Sequence, residues 1–271
     1  MAILRAMEAS LDALLEPLRS DPAAAAILTD VDGTIAPIVE DPGAAAVPVE
    51  TRELLTRLAE RYALVACVSG RPAADARRIV GLESIAYSGN HGYELLMPGE
   101  DNARPDPSLN GHERDAAEFV SGLGRAELER AGIRVEDKGA IVALHWRGSE
   151  NEGEAESLAS EIAADAEWKE LVAQRGRKVL EIRPNVAINK GIAVAAMVAS
   201  KPVRAALYGG DDRTDADAFE ALRVLRGDGN LESIACIAVG SEEAPPEVSA
   251  TADLTVDGPE GFVDVLRVLA G

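Results

Sequence analysis

Aromatic residues are scarce in this sequence, and cysteine is nearly absent. Of its 271 residues, 3% are aromatic and two are cysteines. Cys67 and Cys236 each lie in an apolar run typical of a buried strand, which indicates neither a disulfide framework nor a cysteine metal site and favours a reducing compartment. The apolar fraction of 47% still permits a core. That core must be built from Leu, Val, Ile and Ala.

Basic residues are also under-represented. The chain has 27 Lys and Arg against 47 Asp and Glu, for a formal net charge of -20. So acidic a protein is a poor match for nucleic acid or an anionic membrane, and we predict neither as a partner. An anionic substrate would have to be attracted by a few local cations or by a metal ion.

Long hydrophobic runs are missing as well. No apolar stretch is long enough to span a bilayer. Residues 1–20 have apolar residues at helical spacing, but Arg5, Glu8 and Asp12 interrupt them, unlike the continuous apolar region of a signal peptide. We therefore expect a cytoplasmic protein.

Four short apolar runs share one pattern, in which small or branched residues stop at Gly and polar residues. They are AAAAILTD ending at Asp30, ALVACVSG ending at Ser69–Gly70, SIAYSGN ending at Asn90, and RAALYGGDD ending at Asp211–Asp212. Helical patterns lie between these runs, which predicts an α/β fold with a parallel sheet covered on both faces. Ligands bind beyond the carboxyl ends of the strands in such folds, where these polar residues would gather.

Residues 105–187 break this alternation. They comprise a helical pattern around Gly111 to Ala131, a hairpin turning at Lys138–Gly139, a charged helical pattern from Glu150 to Ala173, and the strand-like run RKVLEIRP. This order of helix, two strands, helix and strand predicts a small α+β insertion at 105–187. The main domain would then consist of residues 1–104 and 188–271.

Asp30 and Asp32 stand where the first run ends. An Asp-Gly pair alone is typical of a hairpin turn, whereas a calcium loop is excluded because Ile35 stands where that loop needs Gly. Alternate residues at a strand end point the same way, so the two carboxylates can face one reacting group. One can attack phosphorus while the other exchanges a proton with the leaving oxygen. The Thr34 hydroxyl can bind a phosphoryl oxygen.

Asp211 and Asp212 supply what this chemistry lacks. Two carboxylates repel a phosphate, so the site needs a hard cation with oxygen ligands. By itself GDDRTDADAF is typical of a solvated loop with a helix cap, but its place at the end of a buried run favours metal binding. Mg²⁺ held by Asp30, Asp32 and Asp211 would neutralise charge and polarise the phosphoryl oxygens.

Ser69 and Lys190 complete the expected site. Singly, such residues are more often a helix cap and a surface lysine. Together with two acidic strand ends they can bind phosphoryl oxygens, the serine as a hydrogen-bond donor and the lysine as a point charge.

The motifs DVDGT, SGR, NKG and GDDRTD, in this order, resemble the four motifs of the haloacid-dehalogenase-type (HAD) phosphatases, which act through an aspartyl-phosphate. GNHGYE, VEDKG, HWR and LEIRP are similar to segments of the trehalose-6-phosphate phosphatases within that group. The resemblance extends from about Ile27 to Gly240. It implies a Rossmann-like parallel sheet core of the HAD type, with the α+β insertion as a cap that determines substrate specificity.

The resemblance also implies roles for individual residues. Asp30 would be the nucleophile, Asp32 the general acid/base, and Ser69 and Lys190 the phosphate ligands. Mg²⁺ would be held by Asp30, Asp32 through its main-chain carbonyl, and Asp211, with Asp215 in support. The substrate-binding residues implied are Arg71, Asn90, His91, Glu94, Glu136, Lys138, Arg147 and Glu181. Neither His91 nor His145 is expected to be a catalyst.

The activity implied is hydrolysis of trehalose 6-phosphate to trehalose and phosphate, the final step of trehalose biosynthesis. The substrate is then a small sugar phosphate, and a functional link to trehalose-6-phosphate synthase is a further expectation. One alternative is a phosphatase of the same fold for a sucrose or glucosylglycerate ester. The other is a module that binds a sugar phosphate without turnover, which is disfavoured because Asp30, Asp32, Lys190 and Asp211 are all present.

Overall fold

The computed structural model describes residues 2–39, 42–176, 178–240 and 246–271. The chain divides into two compact units. Unit 1 consists of Met1–Arg104 and Ile188–Gly271, and unit 2 of Pro105–Ala187. Within the described ranges, no helix has the length and apolar character needed to cross a membrane.

Strands and helices are numbered here in chain order. The strands are β1 (Ala25–Thr29), β2 (Leu64–Val68), β3 (Ala86–Gly89), β4 (Glu94–Leu96), β5 (Arg104–Pro105), β6 (Arg134–Asp137), β7 (Val142–His145), β8 (Val172–Gly176), β9 (Val179–Arg183), β10 (Ala205–Gly210), β11 (Ser233–Gly240) and β12 (Leu254–Asp257). The α-helices are α1 (Ala2–Ser20), α2 (Val49–Arg61), α3 (Ala73–Val80), α4 (Asp115–Ser121), α5 (Arg125–Arg130), α6 (Glu152–Trp168), α7 (Lys190–Ala199), α8 (Arg213–Gly227), α9 (Pro246–Thr251) and α10 (Gly258–Ala270).

The larger sheet has the strand order β12-β11-β10-β1-β2-β3-β4-β5. The strands from β12 to β3 pair in parallel, and β4 joins β3 antiparallel. The four apolar runs noted in the sequence form β1, β2, β3 and β10. The predicted α/β class with a parallel sheet is therefore confirmed.

Both faces of this sheet are buried, which explains why its strands read as continuous apolar runs. Ile27 of β1 belongs to a cluster that also contains Leu54 of α2 and Leu266 of α10. Its neighbour Leu28 belongs to a second cluster, with Phe219 of α8. Each such side chain, fully buried, contributes about 1.5–3 kcal/mol to folding. Because helices cover both faces, the polar strand ends are left at the rim of the sheet.

Unit 2 contains an antiparallel sheet in the order β6-β7-β9-β8. Its apolar face, with Leu144 and Leu180, packs in one cluster with Ile162 of α6. On β9 the burial alternates, so that Glu181 points to the opposite, polar face. The hairpin predicted at Lys138–Gly139 is present as β6 and β7.

Two details of unit 2 differ from the sequence predictions. The helix expected around Gly111 to Ala131 is two helices, because Gly122 and Gly124 interrupt the segment between α4 and α5. The helix expected to reach Ala173 ends at Trp168, and β8 follows it. Glu170 has a φ of 63°, a left-handed conformation that no α-helix continues through.

Candidate active site

Three of the expected site residues lie at one edge of the larger sheet. Asp30, Ser69 and Asp211 each directly follow a strand, and those strands are the parallel neighbours β1, β2 and β10. The backbone N–H of Asp30 donates to the carbonyl of Gly209 at 2.8 Å, which ties the end of β1 to β10. The carboxyl ends of parallel strands meet at one edge, so residues far apart in sequence converge there.

Lys190 lies at the centre of this cluster. It is the first residue of α7, behind the N-cap Asn189, and is only 1% exposed. Its Nζ lies 2.8 Å from Asp30 Oδ1 and 2.7 Å from Asp215 Oδ1. A buried ammonium is stable only if its charge is paired, and here two carboxylates pair with it.

Asp215 organises the surroundings of that lysine. It is fully buried in the first turn of α8, where it forms a capping box with Asp212. Its Oδ2 accepts the backbone N–H groups of Asp211 and Asp212, both at 2.9 Å. Its Oδ1 accepts the Tyr208 hydroxyl as well as Lys190, both at 2.7 Å. Because both oxygens are engaged by the protein, Asp215 is suited to holding its neighbours in place.

Asp211 is fixed by the loop that follows β1. The Thr34 hydroxyl, which the sequence assigns to a phosphoryl oxygen, donates to Asp211 Oδ1 at 2.9 Å. Gly33 has a φ of +84°, and a Cβ added there would lie 2.2 Å from Asp211 Oδ2. Glycine at this position therefore serves both the turn and the close approach of the carboxylate.

The buried carboxylates carry more negative charge than Lys190 offsets. Burial raises the pKa of Asp30 well above its ordinary value, although Lys190 acts in the opposite direction. Burial, followed by the charge of Asp215, raises the pKa of Asp211 to about 7. Burial acts to lower the pKa of Lys190, but the carboxylates of Asp215, Asp30 and Asp212 outweigh it and raise that pKa. A cation near Asp30 and Asp211 would relieve this repulsion.

The donor set fits a divalent metal ion. Carboxylate oxygens of Asp30, Asp211 and Asp215 all lie within 4.8 Å of one another. An all-oxygen set of this kind suits a hard cation. The Asp32 carboxylate does not belong to this group.

Asp32 is instead held by Arg71. The guanidinium donates through Nε to Oδ2 and through Nη2 to Oδ1, both at 2.7 Å. The Asp32 side chain is 33% exposed and the Arg71 side chain 22% exposed, so this pair is less buried than the Lys190 cluster. A bidentate contact fixes the plane as well as the position of a carboxylate. Arg71, expected to bind substrate, thus has a clear contact with the expected acid/base.

Ser69, Asn90 and Glu94 surround the turn between β2 and α3. Ser69 is buried, its Oγ accepts the backbone N–H of Arg71 at 3.1 Å, and the N–H of Asn90 donates to the Arg71 carbonyl at 2.8 Å. Glu94 Oε1 accepts the N–H of Ala73, at the first turn of α3, at 2.6 Å. Burial raises the pKa of Glu94. These contacts bring the expected residues together and also give Glu94 a helix-capping role.

His91 lies over Gly70 in an uncommon backbone conformation. Asn90 and His91 have φ values of 52° and 58°, although neither is glycine. A Cβ at Gly70 would lie 2.6 Å from the His91 ring. Two successive left-handed residues cost free energy, and such strain persists where the surrounding structure enforces it. Gly70 leaves the space that the ring occupies.

Gly70→Ala should therefore displace His91 and lower kcat/KM several-fold, without unfolding the protein. Steady-state kinetics and the melting temperature (Tm) would measure the two effects. The matched control is Gly227→Ala at the C-terminal end of α8, where an added Cβ meets nothing within 4 Å. Wild-type kinetics in Gly70→Ala would show that the position of the His91 ring has no bearing on turnover.

Unit 2 contains the remaining expected residues. Lys138 Nζ donates to Glu181 Oε1 at 2.8 Å, and this ion pair is 12% and 14% exposed. Glu136 Oε2 lies 2.8 Å from His145 Nε2. Arg147 is exposed in the turn after β7. Lys138 and Glu181 are thus in direct contact, whereas Glu136 pairs with a histidine that the sequence placed outside catalysis.

The sequence did not identify Tyr208 as a site residue, and it placed Asp212 beside Asp211 at a strand end without making it a metal ligand. Tyr208 is buried, with its hydroxyl on Asp215, and Asp212 caps α8 and lies 3.7 Å from Lys190. In the sequence, Tyr208 cannot be distinguished from the apolar residues of a buried strand. Only its place three residues before Asp211, at the end of β10, could have indicated a role.

A cavity of about 700 Å³ lies elsewhere, within unit 2. Its lining includes Val120, Leu128 and Ile133, with Arg114 and Arg125. None of the expected site residues lines it, and Val120, Leu128 and Ile133 belong to the core on the helix side of the sheet.

The chain is similar to known sequences over most of its length. A family model described as trehalose-phosphatase matches residues 28–253. A trehalose 6-phosphate phosphatase of Zea mays is 32% identical over 239 residues, covering 82% of this chain and 63% of the relative. A trehalose-phosphate phosphatase of Mycobacterium avium is 35% identical over 181 residues, covering 62% of this chain and 44% of the relative. The chain spans less than two thirds of these relatives.

Solved structures show the same fold. The C-terminal domain of the Candida albicans trehalose-6-phosphate phosphatase is 22% identical, with a TM-score of 0.72 over 96% of this chain and 97% of that one. A trehalose-6-phosphate phosphatase of Aspergillus fumigatus is 25% identical, with a TM-score of 0.64 over the same shares of 96% and 97%. A HAD-like hydrolase of Bacteroides thetaiotaomicron, 15% identical, has a TM-score of 0.63 and covers 90% of this chain and 98% of that one. With a family match across most of its length and an acidic strand-end cluster around a buried lysine, this chain belongs to the trehalose-phosphatase family.

Proposed function

We propose that this chain hydrolyses trehalose 6-phosphate to trehalose and phosphate, the final step of trehalose biosynthesis. The observation that carries the proposal is the buried Asp30 carboxylate, which Lys190 holds beside Asp211 at the strand ends. Family membership and the names of the relatives support the substrate. The link to a trehalose-6-phosphate synthase and the cytoplasmic location stay predictions.

In the first step, a carboxylate oxygen of Asp30 attacks phosphorus and the bond from phosphorus to the sugar oxygen breaks. The departing oxygen takes a proton from Asp32, which Arg71 positions. Ser69 and Lys190 bind the oxygens of the transferring phosphoryl group, so its charge is stabilised as the bonds change. The products are trehalose and an aspartyl-phosphate on Asp30.

In the second step, water attacks the phosphorus of the aspartyl-phosphate. Asp32, now ionised, takes a proton from this water, and the bond from phosphorus to the Asp30 oxygen breaks. Phosphate leaves and the Asp30 carboxylate is regenerated. Asp32 regains its proton, so both side chains are ready for another turnover.

Mg²⁺ is the cofactor that we propose. The carboxylates of Asp30 and Asp211 and the main-chain carbonyl of Asp32 would hold it, while Asp215 fixes the backbone of Asp211. When bound, the ion offsets the repulsion between carboxylates and phosphate and polarises the phosphoryl oxygens.

Removal of divalent metal should abolish phosphate release. We expect protein treated with EDTA to lose activity on trehalose 6-phosphate and to regain it when Mg²⁺ is added in excess. Phosphate release from a panel of sugar phosphates, with and without Mg²⁺, is the measurement. Full activity in exhaustive chelator would refute the metal site. Equal turnover of glucose 6-phosphate and trehalose 6-phosphate would remove the specific substrate and leave the reaction class.

Sugar specificity is the role that we propose for unit 2. The strand-end motifs provide contacts for phosphate and metal, and these are common to all sugar phosphates. Hydroxyl recognition needs additional polar groups, which the polar face of the smaller sheet offers in Glu136, Lys138 and Glu181. Arg147, in the adjoining turn, is part of the same proposal.

Glu181→Gln should lower kcat/KM for trehalose 6-phosphate roughly 10- to 150-fold, the equivalent of one lost charged hydrogen bond. Glutamine keeps the side-chain shape but removes the charge that pairs with Lys138. Slow hydrolysis of p-nitrophenyl phosphate, which has no sugar hydroxyls, should change little. Glu156→Gln, at an exposed position of α6, is the control. Equal losses on both substrates would indicate that Glu181 only stabilises the fold.

A further inference from the structure

Four residues form one row across the polar face of the smaller sheet. Glu136 of β6 pairs in register with Ala143 of β7, Ala143 with Glu181 of β9, and Glu181 with Gln174 of β8. Directly opposed residues of antiparallel strands point to the same face, with Cβ atoms about 4.5–5.5 Å apart. Gln174 therefore stands beside Glu181.

The polar groups of this row differ in how they are engaged. Glu136 is paired with His145, and Glu181 with Lys138. Gln174 is half-buried, and within the described part of the chain its amide forms no hydrogen bond. The protein therefore leaves both the donor and the acceptor of this amide unused. Its hydrogen-bonding capacity remains for a ligand.

The chemistry of an amide suits sugar hydroxyls. A carboxylate only accepts hydrogen bonds and an ammonium only donates them, whereas an amide does both. Each hydroxyl of a sugar also donates and accepts, so one glutamine can bind two adjacent hydroxyls. Ala143, between the two carboxylates, adds no polar group of its own.

We propose that Gln174 is a further specificity-determining residue, which binds a pair of adjacent hydroxyls on the sugar of the substrate. This inference rests on the proposed function and deepens it, because it adds a neutral donor and acceptor to the charged residues implied by the motifs. The strand that carries Gln174 was absent from the sequence prediction, so no motif pointed to it.

The test compares Gln174→Ala with wild type on trehalose 6-phosphate and p-nitrophenyl phosphate, using the full chain with Mg²⁺. Loss of neutral hydrogen bonds should lower kcat/KM for the sugar ester roughly 2- to 12-fold, mainly through KM. The aryl ester should be unaffected. Gln174→Glu keeps a hydrogen-bond acceptor but loses the amide donor beside Glu181. Its KM for the sugar ester should therefore stay above the wild-type KM, as in Gln174→Ala.

Arg175→Ala is the matched control, because Arg175 is the next residue of β8 and points to the other face, where it bonds Ser160. It should leave both substrates unchanged. Unchanged kinetics in Gln174→Ala, or equal losses on both substrates, would overturn the inference while the proposed function stands. A wild-type protein that does not hydrolyse trehalose 6-phosphate would instead overturn the proposed function, and the inference with it.

Discussion

Asp30→Asn should lower kcat for trehalose 6-phosphate by about four orders of magnitude or more, as loss of a catalytic nucleophile does elsewhere. The amide has nearly the same shape as the carboxylate, but it cannot form the aspartyl-phosphate. Folding should be preserved, because the amide oxygen of asparagine can still accept the hydrogen bond from Lys190, which keeps Asp215 as its counter-ion. Phosphate release and Tm, measured on protein whose residue 30 has been verified by mass spectrometry, would report the two properties separately.

The control for this variant is Asp212→Asn. Asp212 belongs to the same acidic cluster, but its side chain is 50% exposed and it caps α8. Asparagine caps helices as well as aspartate does, and the half-exposed Asp212 carboxylate lies 3.7 Å from Lys190, farther than the carboxylates of Asp30 and Asp215. Its activity should therefore stay within about five-fold of wild type. Substantial turnover by verified Asp30→Asn would contradict the nucleophile that we assign.

Lys190→Met should both destabilise the protein and impair catalysis. Methionine fills similar space but leaves Asp30 and Asp215 buried without their cation, a change that typically costs about 3–5 kcal/mol. Loss of a phosphate ligand should lower kcat by about 100- to 1,000-fold. Urea denaturation in EDTA would give the change in free energy of unfolding, and kinetics in Mg²⁺ would give the second effect.

Two further variants test whether unpaired charge causes the loss of stability in Lys190→Met. Lys201→Met removes an exposed lysine just after α7 and should change neither the free energy of unfolding nor kcat. Lys190→Met combined with Asp30→Asn removes one of the stranded charges, so it should recover part of the lost stability and none of the activity. If the double variant is no more stable than Lys190→Met alone, the destabilisation comes from packing rather than from unpaired charge.

The fold was predictable where burial leaves a strong pattern in the sequence. The strands β1, β2, β3 and β10 are covered on both faces, so they read as apolar runs with polar ends. β8 left no such pattern, because VAQRG combines a small, an amide and a charged residue and adjoins a long helix. Its strand conformation depends on five residue pairs with β9, which is a tertiary contact that local sequence does not reveal.

The site was predictable only as a set of residues with suitable chemistry. The sequence placed Asp30 and Asp211 at strand ends, and the structure brings both into one group with Asp215. Lysine is ordinarily a surface residue, so the burial of Lys190 could not be read from its neighbours in the chain. That burial is possible only because carboxylates from separate segments surround it. The pairing of Asp32 with Arg71 is likewise a product of the folded backbone.

The distance in sequence between Asp30 and its partners affects how the chain emerges from the ribosome. Asp30 and Lys190 are 160 positions apart, and Thr34 and Asp211 are 177 apart. At roughly 5–20 residues per second, translation needs about 10–30 s to cover that interval. Meanwhile β1 can pair with β2, but its other edge stays open until β10 is made. The nascent chain thus displays an apolar strand edge of the kind that promotes misassembly. Products that terminate before β10 lack both the protecting strand and two of the three clustered carboxylates, Asp211 and Asp215.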